Sequence, residues 1–191
     1  MKKVGYKFKV SLNEFEDIIW REILVDSKAR LADLAYVILA SFETDATHLY
    51  NIEYKGLMYE CFECDEIEYP YEIATDYKLS QLSLNLDDKL LMTYDFGSDW
   101  KLTISLIEII ELNGVGVPKI VAGKGKGIPE DIFREDLRIL ISSNDSTDKS
   151  DHKYLELESL NKSWIYNEYD INEDNDRLIK VTKTIKKGYE G

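Results

Sequence analysis

The chain has 191 residues, 44% of them apolar, with a formal net charge of −13 at pH 7. That length supports one well-buried core and is short for two, and an acidic chain without a basic stripe is poorly equipped to neutralise nucleic-acid phosphates. Three prolines and ten glycines argue against a fibrous or disordered chain, and no apolar run approaches the length of a membrane span.

Lys2-Lys3 leads into Val4 to Val10, which alternates like a strand and lacks the continuous apolar stretch of a secretory segment. With two cysteines in the whole chain, the sequence reads as cytoplasmic. Tyr6, Phe8 and Val10 open a first strand, and Ile19 to Val25 offers a second. Asp26-Ser27 supplies N-cap chemistry for a helix over 29–42, whose buried face is Leu31, Leu34, Ala35, Ile38, Leu39 and Phe42. His48 to Glu63 reads as a hairpin turning at Lys55-Gly56. It sets Tyr54 opposite Leu57, Ile52 opposite Tyr59, Tyr50 opposite Cys61 and His48 opposite Glu63. The acidic, tyrosine-rich stretch 65–78 has no clean period and reads as an excursion, followed by a short helix or turn at Leu79 to Leu86.

The two strongest strand patterns flank Tyr94-Asp95-Phe96-Gly97-Ser98-Asp99-Trp100. Leu90, Met92, Tyr94 and Phe96 alternate on one side, and Trp100, Leu102, Ile104 and Leu106 on the other. A two-residue Gly97-Ser98 turn would set the second strand's apolar residues behind the first strand's polar ones. A three-residue Gly97–Asp99 loop pairs Phe96 with Trp100, Tyr94 with Leu102 and Asp95 with Lys101, and gathers all the large side chains on one face. Because a one-residue slip flips every side chain, the burial pattern selects the three-residue loop.

Beyond Ile110 come a loop, a short strand and the glycine-rich Gly123 to Gly127. Pro129 suits a helix's first turn and Glu130-Asp131 its dipole; that helix buries Ile132, Phe133, Leu137, Leu140 and Ile141. A polar mobile connector covers 142–151, a shorter helix follows around Tyr154 to Leu160, and a last helix spans about 174–187, leaving 188–191 as a frayed tail. The expected architecture is a single α+β domain, an antiparallel β-sheet of hairpins packed against several helices.

Chemistry has few candidates. Asp95 and Asp99, with Glu130 and Asp131, would hold a divalent cation through oxygen ligands or share acid–base work, with His48 assisting, if the central turn meets the 129–131 helix start. The plainer reading pairs Asp95 with Lys101, places Asp99 at a left-handed turn position and makes Glu130-Asp131 a helix cap. With only His48 and His152, a multi-histidine metal site or catalytic triad is close to excluded. Cys61-Phe62-Glu63-Cys64 stands among acids, which disfavour a reactive thiolate. Gly123 to Gly127 lacks the spacing and the Ser/Thr of a Walker loop. Even so, Lys119, Lys124, Gly125 and Lys126 before a helix N-terminus make an anion-binding candidate, against a plain exposed loop. Tyr59, Tyr69, Tyr71 and Tyr77 would line a partner surface or simply pack on the second hairpin.

Tyr94-Asp95-Phe96-Gly97 with Trp100, followed by Pro118, Gly123 and Pro129-Glu130-Asp131, resembles the plasmid pRiA4b open-reading-frame family. Trp20-Arg21, Leu31/Leu34, His48-Leu49-Tyr50, and Tyr169-Asp170-Ile171 with Asn175 and Leu178 extend the resemblance over nearly the whole chain. The chain departs from the family's second stretch, which has paired prolines before Glu-Asp and a following glycine pair. The resemblance implies a soluble protein of plasmids, insertion elements and chromosomes, some bearing a transposon "TnpR" label, without a defined activity.

The function expected is a non-catalytic binding or adaptor module for a protein or small anionic ligand. The rival is a divalent-metal-assisted hydrolase or nuclease, and a DNA-acting resolvase ranks last on charge. No motif indicates another cofactor or an oligomeric state.

Overall fold

The computed structural model describes residues 2–63, 69–129, 132–144 and 164–191. Its strands are β1 (Val4–Leu12), β2 (Trp20–Asp26), β3 (Tyr50–Tyr54), β4 (Leu57–Glu60), β5 (Tyr71–Ile73), β6 (Lys89–Tyr94), β7 (Trp100–Glu111) and β8 (Lys119–Lys124). They form one eight-stranded sheet in the order β5-β4-β3-β6-β7-β1-β2-β8. Every described pairing is antiparallel except β4 with β5. The helices are α1 (Leu31–Ser41), α2 (Arg134–Asn144) and α3 (Ile171–Glu190). The α+β architecture is therefore the one that the alternating patterns predict.

Residues directly opposed in antiparallel strands share a face. The register thus puts Val25, Ile23 and Arg21 of β2 with Tyr6, Phe8 and Val10 of β1. Leu106, Ile104 and Leu102 of β7 continue that face, as do Leu90, Met92 and Tyr94 of β6. α1 and α3 pack on each other and close over it, and Arg21 meets Ser41 of α1 and Asp174 of α3. The reverse face is polar, with Lys7 bridging Glu22 and Glu108. Burying each large apolar side chain on the covered face contributes about 1.5–3 kcal/mol, so the two-layer arrangement follows from the alternation itself. At the free edge of β8, the Asn175 carboxamide accepts from the Ile120 amide and donates to its carbonyl, both at 2.9 Å. A side chain there takes the place of a ninth strand, which guards the edge against pairing.

The hairpin at Lys55-Gly56 matches its expected register, Tyr54 to Leu57 and Ile52 to Tyr59. Both turn residues have positive φ, 50° and 77°, as a two-residue type I′ turn requires. The central hairpin differs. Tyr94 pairs with Trp100 and Met92 with Leu102, two residues out from the expected register, so the loop is the five residues Asp95 to Asp99. A shift of two keeps every strand residue on its face, so Leu90, Met92, Tyr94, Trp100, Leu102 and Ile104 are all buried. It expels Phe96, which is 49% exposed, and it sets Thr93 rather than Asp95 opposite Lys101.

Other boundaries move for local reasons. Asp26 accepts from the Lys28 amide at 2.9 Å and so caps a turn ahead of α1. α1 itself starts one step beyond Arg30, whose amide donates to the Asp33 carboxylate at 3.2 Å. α2 begins at Arg134, not at Pro129, and Phe133 is 57% exposed rather than core, whereas Ile132, Leu137, Leu140 and Ile141 are buried as expected. α3 runs on to Glu190 instead of fraying from 188, because Tyr189 stacks on Tyr36 and Glu190 pairs with Arg30 at 2.5 Å. Its start is capped by Asp170, which accepts from the Asn172 amide at 2.7 Å. The excursion holds a strand, β5, too short at three residues to show a period. The connector expected over 142–151 loses its first three residues to α2, which runs to Asn144; its remainder, His152 and the helix around 154–160 lie outside the described residues.

Candidate functional site

The antiparallel register brings four connections to one rim of the sheet. They are His48-Leu49 before β3, the Asp95–Asp99 turn, the Asn13–Ile19 turn between β1 and β2, and the stretch after Lys124. Most of the chemistry-bearing candidates gather here. Lys119 does not; it starts β8 opposite Leu24, and five strand steps of about 3.3 Å each separate it from Lys124.

The Asp95–Asp99 turn is held by its own backbone. The Asp95 amide donates to the Leu49 carbonyl at 3.0 Å, and the Asp99 amide to the Asp95 carbonyl at 2.7 Å. Asp95 and Asp99 take the left-handed positions, φ 53° and 52°, which aspartate tolerates better than most side chains. Asp95 Oδ1 accepts from the Gly97 amide at 3.1 Å and lies 3.6 Å from His48 Nδ1. Burial pushes its carboxyl up, but hydrogen bonds from the Ser98 side chain and the Gly97 and Ser98 amides, with His48, outweigh this and hold it below its usual range. Asp99 turns elsewhere, to Lys101 at 3.1 Å and Arg134 at 3.6 Å. Arg134 and Arg138 both also reach Glu14 in the β1–β2 turn, which ties α2 to this rim.

Asp95 and Asp99 therefore do not converge. Asp95 faces His48, Asp99 faces two cations, and Glu130 and Asp131 lie outside the described residues. Among the described residues no three His, Cys, Asp or Glu side chains are grouped as a cation would need. Burial pushes the Cys61 thiol up to about 11, away from thiolate chemistry; Cys64 lies outside the described residues.

The glycine-rich stretch is a packed wedge. A Cβ on Gly127 would lie 1.9 Å from the Phe42 carbonyl oxygen, and one on Gly125 would lie 2.2 Å from that of Ile18. The amides that would cradle an anion are bound already: Lys126 to the Tyr166 carbonyl at 2.7 Å, Ile128 to that of Phe42 at 2.8 Å, and Gly127 to Glu43 Oε1 at 3.3 Å. A protein carboxylate sits where an anion would. Lys124 Nζ donates to the Asp17 carbonyl at 2.8 Å. Lys124 and Gly125, with Tyr166, Asn167 and Tyr169, still line a cavity of about 260 Å³.

Behind Tyr169 is Arg21, 0% exposed. Its Nε donates to the Ser41 carbonyl at 3.0 Å, and its Nη1 to those of Trp20 at 3.0 Å and Lys124 at 2.9 Å. The guanidinium lies 3.9 Å from the Tyr169 ring centre and 5.3 Å from that of Phe42, and Asp174 Oδ2 lies 3.6 Å from Nε. Burial pushes Arg21 below its ordinary value, with Tyr169, Asp174 and Glu43 opposing, and pushes the Tyr169 hydroxyl up to about 12. Arg21 joins β2, β8, α1 and α3 at one point. Sequence reasoning met it only as part of a resemblance. The signal was there, since Ile19, Arg21, Ile23 and Val25 alternate and put a charge on the inward face.

Exposed apolar side chains complete the rim. Phe96 stands at the turn's tip, Leu49 beside it is 42% exposed, and Phe133 precedes the arginine that bridges to Asp99.

The comparisons with known proteins agree with this fold and attach no activity to it. The chain is 24% identical over 126 residues to the uncharacterized protein y4hQ of Sinorhizobium fredii (strain NBRC 101917 / NGR234), a match over 66% of this chain and 65% of that protein, just under two thirds of its length. It superposes on the crystal structure of the protein of unknown function MM3350 from Methanosarcina mazei Go1 with a TM-score of 0.76 and 25% identity. That superposition covers 92% of this chain and 98% of that one. The plasmid pRiA4b ORF-3-like profile matches residues 4–177, a span that takes in the central turn, Trp20-Arg21 and Tyr169-Asp170, and the chain belongs to that family.

Proposed function

We propose that the chain is a cytoplasmic, non-catalytic binding module that recognises a protein partner at the rim around Phe96. The observation that carries this reading is an aromatic side chain held out to solvent by a turn whose carboxylates already have partners. A pre-shaped turn displays Phe96 at little conformational cost, which is how aromatic anchors come to dominate interfaces. Leu49 and Phe133 widen the apolar patch, and Arg134, Arg138, Lys101 and Glu14 supply a charged border of the kind interfaces carry at their edges. The small-anion reading has less support, because the glycine-stretch amides and Lys124 already have partners.

A photo-crosslinking residue at position 96 tests it in cells of the source organism, with Val121 on the β8 edge as control. One protein should be captured from 96 and not from 121, and its purified form should bind at least about tenfold more weakly to Phe96→Ser. Equal binding by wild type, Phe96→Ser and Phe133→Ser would overturn the reading. Saturable Mn²⁺ binding abolished by Asp95→Asn would transfer it to the metal-assisted hydrolase.

A further inference from the structure

At the opposite rim a second concavity, of about 310 Å³, lies between β2, α1, α3 and the segment entering β8. Its walls are aliphatic, made by Val25, Ala29, Val37, Val117 and Pro118. Its polar residues are few: Asp26, Asp33, Thr182 and Lys186. An apolar hollow with a handful of convergent polar groups is the usual form of a small-molecule site, and this one falls at the small end of the usual range of roughly 300–1,000 Å³.

The state of those polar groups narrows the ligand. Lys186 Nζ is engaged with Asp33 Oδ1 at 3.0 Å, and Asp33 also takes the Arg30 guanidinium, at 2.7 Å. These charges therefore have their partners. Asp26 is different. One oxygen accepts the Lys28 amide at 2.9 Å, and among the described residues no cation pairs with it. The Thr182 hydroxyl is buried with no hydrogen-bond partner among the described residues, which is costly unless something meets it. Asp33 is matched by Lys186 and Arg30, and Arg30 in turn by Glu190, so the Asp26 carboxylate is the charge at the hollow without a counter-ion among the described residues, which favours a cation and disfavours an anion.

We infer that this hollow is a binding site for a compact primary or secondary amine with an aliphatic body. The body fills the Val25–Val37–Val117 walls, the ammonium donates to Asp26, and a further polar group of the ligand satisfies Thr182. The site is separate from the Phe96 rim and does not depend on the reading proposed for it.

The test uses a matched trio, cyclohexylamine, cyclohexanol and cyclohexanecarboxylate, titrated into the full chain and followed by methyl NMR at Val25, Val37 and Val117. The amine should shift these methyls most strongly, the alcohol weakly and the carboxylate not at all. Asp26→Asn should weaken the amine about tenfold, one charge-assisted hydrogen bond near the surface, and leave the alcohol unchanged. Ala29→Phe, which fills the hollow from its border, should remove all three responses while the amide spectrum remains that of a folded protein. Equal response to carboxylate and amine, persistence of the response in Ala29→Phe, or no valine shift at millimolar amine would each overturn the inference.

Discussion

Arg21 and Asp95 lie on the same rim of the same sheet and handle charge in opposite ways. Arg21 is drawn inside, stacked on Tyr169 and Phe42, with Nε and Nη1 on three backbone carbonyls. Asp95 stays near the surface, bends the chain back on itself and leaves Phe96 in solvent. The lesson concerns where a conspicuous motif acts. A charge whose partners come from four elements holds the fold together, whereas a charge whose partners are its own turn and the neighbouring His48 shapes a loop.

The sharpest way to break the contrast is to remove each charge. Arg21→Met should destabilise by about 3 kcal/mol, since it strips three carbonyls of their donor and removes one of the two cations beside Asp174 among the described residues. Urea unfolding measures it, and a loss below about 1 kcal/mol would mean that Arg21 is not the junction described. Adding Asp174→Leu to Arg21→Met should recover part of the loss, because an apolar replacement no longer buries an unmatched charge.

Glycines sharpen the comparison next. Gly127→Ala drives a Cβ to 1.9 Å from the Phe42 carbonyl oxygen, and a loss of about 2 kcal/mol or more is expected in the same assay. In the exposed turn, Gly97→Ala meets only Asp95 Oδ1 at 3.3 Å and should cost under about 0.5 kcal/mol. Equal losses would erase the distinction between wedge and turn.

A pH titration separates a third region from both. Asp33 is pushed up by burial, but Arg30 and Lys186 outweigh this and hold it down at about 2. A carboxylate depressed in the folded state contributes stability above its unfolded pKa and loses it as pH falls through the folded one. The clasp between α1 and α3 should therefore weaken between about pH 4 and pH 2, by about 1 kcal/mol. Asp33→Asn should flatten that part of the stability–pH curve, and an unchanged curve would show that the clasp is not linked to folding. The smallest expected effect on stability is that of Phe96→Ser, within about 0.5 kcal/mol, read by thermal unfolding beside its loss of partner binding. A large stability loss there would return Phe96 to the core.

Much of this was readable in advance where a pattern is local. The Lys55-Gly56 turn fits because two residues of positive φ admit few geometries. The expected α1 face is buried, but so is every other residue of that helix except Asp33, because α3 covers the side that the sheet does not. The central hairpin slipped because alternation has period two: registers two residues apart keep the same face, and only the backbone bonds of Asp95 and Asp99 choose between them. Pro129 and Phe133 carry local helix-start chemistry that α2, beginning at Arg134, does not use. For the candidate site, the glycines looked like anion chemistry because flexibility is visible in a sequence, while the Phe42 and Ile18 carbonyls that require them are not.

By itself the amino-acid order determined the faces of the strands, the long helices, the α+β class and the acidic surface, since each follows from neighbours a few residues apart. Tertiary structure alone decided that Arg21 is a buried junction, that Phe96 is outside, and that the Gly123–Gly127 stretch is a wedge. Those outcomes depend on contacts between segments distant in the chain, such as Arg21 with Lys124 and Asp174. Burial turns a charge or a glycine from a local preference into a constraint that only its spatial partners define.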